Sequence, residues 1–305
     1  APSEVFLKLT VEKKTPVHDH KESDGKIYDG KPIGMPTFNT DSDGALTFEY
    51  KPSDADDTAY TTAAPKNVGK YTIRITTAET DKFDARSSTM EFEIQPREVT
   101  ISGVSVGNKV YDGKVEASVV NSGMVNGLIG GDIVTVKAGV ASFDNKNVGV
   151  GKTVTFTDFA LSGEDAANYR LASQPQAVTA DILARQVAIA GLKIKDKLYD
   201  GKNTAQFEGT PVLSGLIDGD NLRLILGVPT FDSAEIGRDI SVSFTPFSLG
   251  GDSTTVGNYI LIQPSGVTAS IREYIADGSE YFVNSNDWIH TDFTVTAKAG
   301  FALSL

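Results

Sequence analysis

Two histidines one residue apart, several aspartates in Asp-Gly settings and a C-terminal cluster of aromatics are the groups in this chain that could do chemistry. His18 and His20 would fall on one face of an extended strand, where two imidazoles can share a metal ion. Their neighbours Lys13, Lys14, Asp19 and Lys21 mark a charged leader, so solvated rings are the expected state; His290 stands alone. Asp41-Ser42-Asp43-Gly44 opens like a calcium loop but lacks the bidentate glutamate that completes one. Asp218-Gly219-Asp220 reads as a turn. No serine nucleophile and no glycosidase pair of carboxylates is expected. The chain has no cysteine, which excludes thiol nucleophiles, thiolate zinc sites and disulfides. The expectation is a non-enzyme with no catalytic residue, no cofactor and no metal.

Trp288 with Tyr281 and Phe282 could stack against a sugar, although an aromatic that precedes an alternating strand is expected in a core. A Lys–Asn isopeptide bond would need both side chains and a carboxylate in an apolar core, and no such pair is specified by the sequence.

The tripeptide Tyr-Asp-Gly sets the organisation of the chain. It stands at Tyr28-Asp29-Gly30, Tyr111-Asp112-Gly113 and Tyr199-Asp200-Gly201, each followed by a lysine, at intervals of 83 and 88 residues. Such intervals are the length of a domain. Structural roles are expected for all three residues: a ring between sheets with its hydroxyl on the backbone, a carboxylate accepting backbone N–H groups, and a glycine at positive φ.

The elements that must position these groups are strands. Tyr71-Thr72-Ile73-Arg74-Ile75 and Val178-Thr179-Ala180-Asp181-Ile182 alternate with a period of two, which buries one face and wets the other. Asp-Gly, Gly-Gly and Asn-Val-Gly turns punctuate the runs, and no long helical period appears. The predicted fold is all-β, an elongated array of tandem immunoglobulin-like, antiparallel β-sandwich modules. Their bounds are 1–96, 97–184 and 185–272, with a partial module or tail at 273–305. Very short linkers, Pro96-Arg97-Glu98 and Ala184-Arg185, would restrict bending between modules.

The formal charge of −12 is repelled by phosphate backbones and anionic lipid surfaces, so neither nucleic acid nor membrane is an expected partner. No apolar run reaches the length of a membrane span. The start at Ala1 suggests a processed chain or a piece of something longer.

Beyond the tripeptide, the second and third modules share further motifs in order. These are Gly130-Gly131-Asp132 against Asp218-Gly219-Asp220, Asn147-Val148-Gly149 against Glu235-Ile236-Gly237, Asn168-Tyr169 against Asn258-Tyr259, and a closing Thr-Ala-x-Ile at Ile182 and Ile271. Together they resemble the YDG repeat of bacterial surface proteins, over about residues 97–272. The first module, with Tyr28-Asp29-Gly30 and Asn67-Val68-Gly69, looks like the related MBG modules. The resemblance implies a non-catalytic, monomeric stalk or spacer of an adhesin-like protein at the bacterial cell surface or wall. The alternative it leaves open is a module binding glycans, mucin or matrix protein. It carries no catalytic residues.

Overall fold

A computed structural model describes residues 12–20 and 25–273 of the chain. Trp288, Tyr281, Phe282, His290 and the whole 273–305 segment beyond Glu273 lie outside the described residues. Among the described residues regular structure is almost entirely strand. The exceptions are one four-residue helix, Ser253–Val256, and two single 3-10 turns, Asp57–Ala59 and Ala166–Asn168. The all-β class therefore holds. No helix among these residues is long and apolar enough to cross a membrane.

The chain divides into two compact units, which are described in turn. The first comprises Ala1–Val106, Ser118–Ser142 and Thr155–Val178. Its largest sheet orders Lys26–Ile27, Arg86–Gln95, Gly69–Thr77 and Leu46–Pro52 as neighbours. The alternation read from sequence fixes which side is buried. Ile73, Ile75 and Thr77 of one strand lie on the same buried side as Met90, Phe92 and Ile94 of the next, with Ile73 opposite Met90 and Tyr71 opposite Phe92. Exposed Glu91, Glu93 and Thr89 occupy the other face. A second sheet sets Val119–Asn126 and Tyr169–Leu171 on either side of Arg97–Val106. Val99, Val134 and Tyr169 join Tyr28, Tyr50, Ile73, Met90, Phe92 and Ile94 in one core. Burial of each such side chain stabilises by about 1.5–3 kcal/mol, so this core is the main source of cohesion in the unit.

The second unit comprises Gly107–Ala117, Phe143–Val154 and Thr179–Leu305. Here Lys197–Leu198, Thr268–Arg272, Gly237–Phe244 and Pro229–Phe231 form one sheet, and Val212–Ser214, Arg185–Ala190 and Tyr259–Leu261 another. Ile194, Phe231, Val242, Ala269 and Ile271 make its core, with Phe207, Ile240 and Phe244 packed against it.

The expectation of purely antiparallel pairing needs correction. Lys26–Ile27 runs parallel to Arg86–Gln95, Lys109–Val110 to Val178–Leu183, and Lys197–Leu198 to Thr268–Arg272. Tyr169–Leu171 and Tyr259–Leu261 are likewise parallel to Arg97–Val106 and Arg185–Ala190. Tight hairpins produce antiparallel neighbours, whereas these partners are separated by a long excursion of chain, which allows a return in the same sense. The alternation of apolar residues is identical in both cases and does not distinguish them.

The strand Arg86–Gln95 passes into Arg97–Val106 through Pro96 alone, and Val178–Leu183 into Arg185–Ala190 through Ala184 alone. Proline suits the first position, because a fixed φ and a missing N–H cost nothing between two ladders.

Candidate functional site

The Tyr-Asp-Gly turns share one construction. In each, a lysine two residues before the tyrosine reaches back over the turn. Lys109 Nζ donates to Asp112 Oδ1 at 2.8 Å and to the carbonyls of Lys114 and Glu116 at 2.7 and 2.9 Å. Lys197 repeats this with Asp200 at 2.7 Å and the carbonyls of Lys202 and Thr204, and Lys26 with Asp29 and the carbonyls of Lys31 and Pro32. The aspartate also accepts the backbone N–H two residues on, at 2.9 Å for Lys114 and Lys202. These bonds favour the carboxylate form. The Lys197 and Lys26 ammonium groups hold the Asp200 and Asp29 carboxyls below the usual range. For Asp112, burial pushes upward but the Lys109 and backbone bonds outweigh it, and the net shift is downward. The glycine closes the turn at positive φ, 75° at Gly30, 77° at Gly113 and 72° at Gly201. That region excludes most other residues.

What the turn presents is the tyrosine. The Tyr28 ring is buried, and its hydroxyl donates to Asp132 Oδ2 at 2.9 Å. The same carboxylate oxygen accepts the hydroxyl of Tyr169, whose oxygen in turn accepts the Ile129 backbone N–H at 2.9 Å. The two rings meet edge to face, with centroids 5.4 Å apart. Beside them Asn168 Oδ1 accepts the Val68 N–H of the Asn-Val-Gly turn at 2.9 Å.

The second unit contains the same arrangement. Tyr111 donates to Asp220 Oδ2 at 2.9 Å and Tyr259 to the same oxygen at 2.6 Å. Ile217 N–H donates to the Tyr259 hydroxyl at 3.0 Å, and Val148 N–H to Asn258 Oδ1 at 2.8 Å. The Tyr111 and Tyr259 rings are again 5.4 Å apart, edge to face. Asn168 and Asn258 are two of the few buried polar side chains among the described residues, and both are satisfied. The backbone role expected for the tyrosine hydroxyl is thus corrected. Its partner is a carboxylate from a motif more than a hundred residues further on, while the aspartate and glycine take the backbone roles read from their types.

Burial, then the hydrogen bond to aspartate and its charge, pushes the Tyr28 and Tyr111 phenols up to about 12. Tyr169 and Tyr259 move in the same direction for the same leading reason. An unfolded phenol ionises near 10, so the folded state binds its proton more tightly. The stability this contributes is fully present below about pH 10 and is lost as the pH rises through about 12. In that window the loss is about 1.4 kcal/mol per pH unit for each tyrosine. Equilibrium unfolding followed by circular dichroism from pH 9 to 12.5 checks this. Tyr28→Phe and Tyr111→Phe are each expected to flatten the decline.

The other sequence candidates fall elsewhere. His18 and His20 do share a face of the short strand His18–His20. The His18 ring, however, is engaged at Nδ1 with the Ser88 hydroxyl at 2.9 Å and at Nε2 with the Thr77 hydroxyl at 2.6 Å. Burial first, then Arg86 and His20, lowers its pKa, so the ring is neutral at pH 7. Asp41 accepts the Val17 N–H at 2.7 Å and pairs with Lys14, while Gly44 N–H donates to Ser42 Oγ at 3.1 Å, which makes this stretch a side-chain-stabilised turn. No group of three or more His, Cys, Asp or Glu side chains among the described residues is placed to hold a metal ion.

Among the described residues one Lys–Asn side-chain hydrogen bond is formed. Lys152 Nζ lies 2.8 Å from both Asn145 Oδ1 and Asp144 Oδ1. Asn145 and Asp144 are exposed, and Lys152 holds the Asp144 carboxyl ionised, which is not the apolar, protonated setting an isopeptide bond requires. Gly103-Val104-Ser105-Val106-Gly107 has the spacing of a nucleophile elbow, a signal that the expectation of no serine nucleophile leaves out. Ser105 sits within the strand Arg97–Val106, in register with Asn121, and no helix follows it, so the strand–turn–helix geometry of an elbow is absent.

The YDG domain matches residues 95–177 and 184–269, together more than half of the chain, and each match spans one Tyr-Asp-Gly turn, one Gly-Asp loop and one Asn-Tyr pair. No curated protein matches. The chain belongs to the YDG-domain family, of which it carries two copies.

Proposed function

We propose that this chain is a non-catalytic spacer, a stalk segment of a bacterial cell-surface adhesin-like protein, exported and monomeric. One observation carries the reading. The recurring constellation of two tyrosines on one aspartate is buried and satisfied within the protein, and it ties the first and second Tyr-Asp-Gly turns to motifs of the next sequence copy. Tyr28 reaches Asp132 and Tyr169 of the first YDG domain, and Tyr111 of that domain reaches Asp220 and Tyr259 of the second. A ligand site needs groups turned outward with unmet hydrogen-bonding capacity, whereas these are turned inward with theirs met.

On this reading residues 1–96 form an MBG-like module and 97–184 and 185–272 two immunoglobulin-like sandwiches, in an elongated array, with 273–305 opening a further module or tail. The net charge of −12 keeps neighbouring chains apart in solution.

The test is binding of the labelled 305-residue chain to an array of glycans, mucins and matrix proteins. Background signal across the array is the expected result. Saturable binding that is lost on changing Trp288 would replace the spacer reading with that of an adhesive module.

A further inference from the structure

The third Tyr-Asp-Gly turn is built like the first two and differs in one respect. Its lysine clamp is complete, Gly201 has the same positive φ, and Tyr199 N–H donates to the carbonyl of Arg272 at 2.8 Å. Tyr28 and Tyr111 make the same backbone bond to Gln95 and Leu183. Yet Tyr199 is 44% exposed, against 2% for Tyr28 and 1% for Tyr111. Among the described residues no side chain accepts from its hydroxyl.

The neighbouring positions agree. A Cβ placed on Gly30 would lie 3.0 Å from the Ile129 side chain, and one on Gly113 would lie 3.0 Å from Ile217. At Gly201 there is open space within 4 Å. Val68 and Val148, whose N–H groups bond Asn168 and Asn258, are half-buried; their counterpart Ile236 is exposed, and its N–H has no acceptor among the described residues. Among the described residues, tyrosine, glycine and the Asn-Val-Gly counterpart therefore all lack the same neighbour at once.

We propose that the face formed by Tyr199, Gly201 and Ile236 is a docking surface for one further YDG domain. The two occupied joints specify the occupant: an isoleucine to cover Gly201, an aspartate three residues on to accept the Tyr199 hydroxyl, and an Asn-Tyr pair whose amide oxygen accepts the Ile236 N–H. The turn already holds the docked conformation, so little ordering is needed on association. This rests on the reading of the chain as a run of joined repeats and names the partner that such a run requires at this end.

The test is nitration by tetranitromethane with peptide mapping, on the full chain and on a chain with residues 185–273 duplicated in frame after Glu273. In the original chain Tyr199 is expected to react far faster than Tyr28 and Tyr111. In the extended chain Tyr199 should fall to their level, and its duplicate should become the reactive residue. Equal reactivity of Tyr199 in both chains, with the added segment protease-resistant, would overturn the proposal. Should the added segment fail to fold, Asp220→Ala in the original chain decides: Tyr111 is expected to become reactive, and continued protection would show that the aspartate does not hold the joint. Ligand binding on the array would retire the spacer reading and leave the nitration result as it stands, so the two can fail separately.

Discussion

Asp220→Ala is expected to lower the stability of the chain by about 2–4 kcal/mol at pH 7, far more than removing either hydroxyl it serves. One carboxylate oxygen accepts from both Tyr111 and Tyr259, and both rings are buried. Deleting it leaves two phenol donors without an acceptor at once. The cost of an orphaned buried donor, about 1–3 kcal/mol, exceeds the net gain from making the bond. Asp220 itself is only half-buried, so solvent entering beside Gly219 and Asn221 offsets part of the penalty. Tyr111→Phe removes one donor and leaves Asp220 with Tyr259 and solvent, for an expected loss of about 0.5–1.5 kcal/mol. Urea unfolding of the three chains measures the difference. Equal losses for Asp220→Ala and Tyr111→Phe would mean that the carboxylate does not bind the two phenols jointly.

Phe231→Ala is expected to cost about 3–5 kcal/mol, the range for truncating a fully buried phenylalanine. Phe231 has no exposed surface and lies in register with Val242 at the centre of the cluster of Ile194, Ala269 and Ile271. Its ring also lies 5.9 Å beneath Lys197 Nζ, the ammonium that closes the third Tyr-Asp-Gly turn. Truncation therefore removes apolar contacts and one wall of the lysine's seat together. Phe231→Leu retains most of the volume and should cost less than about 1.5 kcal/mol. Hydrogen exchange at Lys202 N–H, which donates to Asp200, reports on the turn. Faster exchange is expected in Phe231→Ala and little change in Phe231→Leu. A loss below 1 kcal/mol for the alanine variant would contradict the core assignment.

Much of this was legible in the sequence for local reasons. A strand such as Gly69–Thr77 is specified by its own alternation, and the closure of a Tyr-Asp-Gly turn by a glycine that tolerates positive φ. The choice of partner was not legible. Asp132 and Asp220 read as turn residues, because their Gly-Asp setting is sufficient reason for an aspartate. Of the two phenols each binds, the one from the Tyr-Asp-Gly turn comes from 104 or 109 residues away. Alignment of the copies sets Tyr111 beside Tyr199, whereas the contact runs from one copy to a different motif of the next. The parallel strand pairs escaped for a related reason: period-two burial fixes a face but not a direction. The spacing of His18 and His20 sets them on one face, but the engagement of the His18 ring with the Ser88 and Thr77 hydroxyls depends on strands about 60 to 70 residues distant.

The position of the joint has a consequence for how such a chain can change its copy number. Each YDG domain carries the donor half, its Tyr-Asp-Gly turn, and the acceptor half, its Gly-Asp loop and Asn-Tyr pair, and successive domains are linked through single residues at Pro96 and Ala184. Excision of residues 97–184 would leave Tyr28 facing Asp220 and Tyr259, the same chemistry it meets at Asp132 and Tyr169. Duplication would regenerate the joint in the same way. Copy number can therefore rise or fall by whole domains through recombination, with no new interface having to be evolved at the splice.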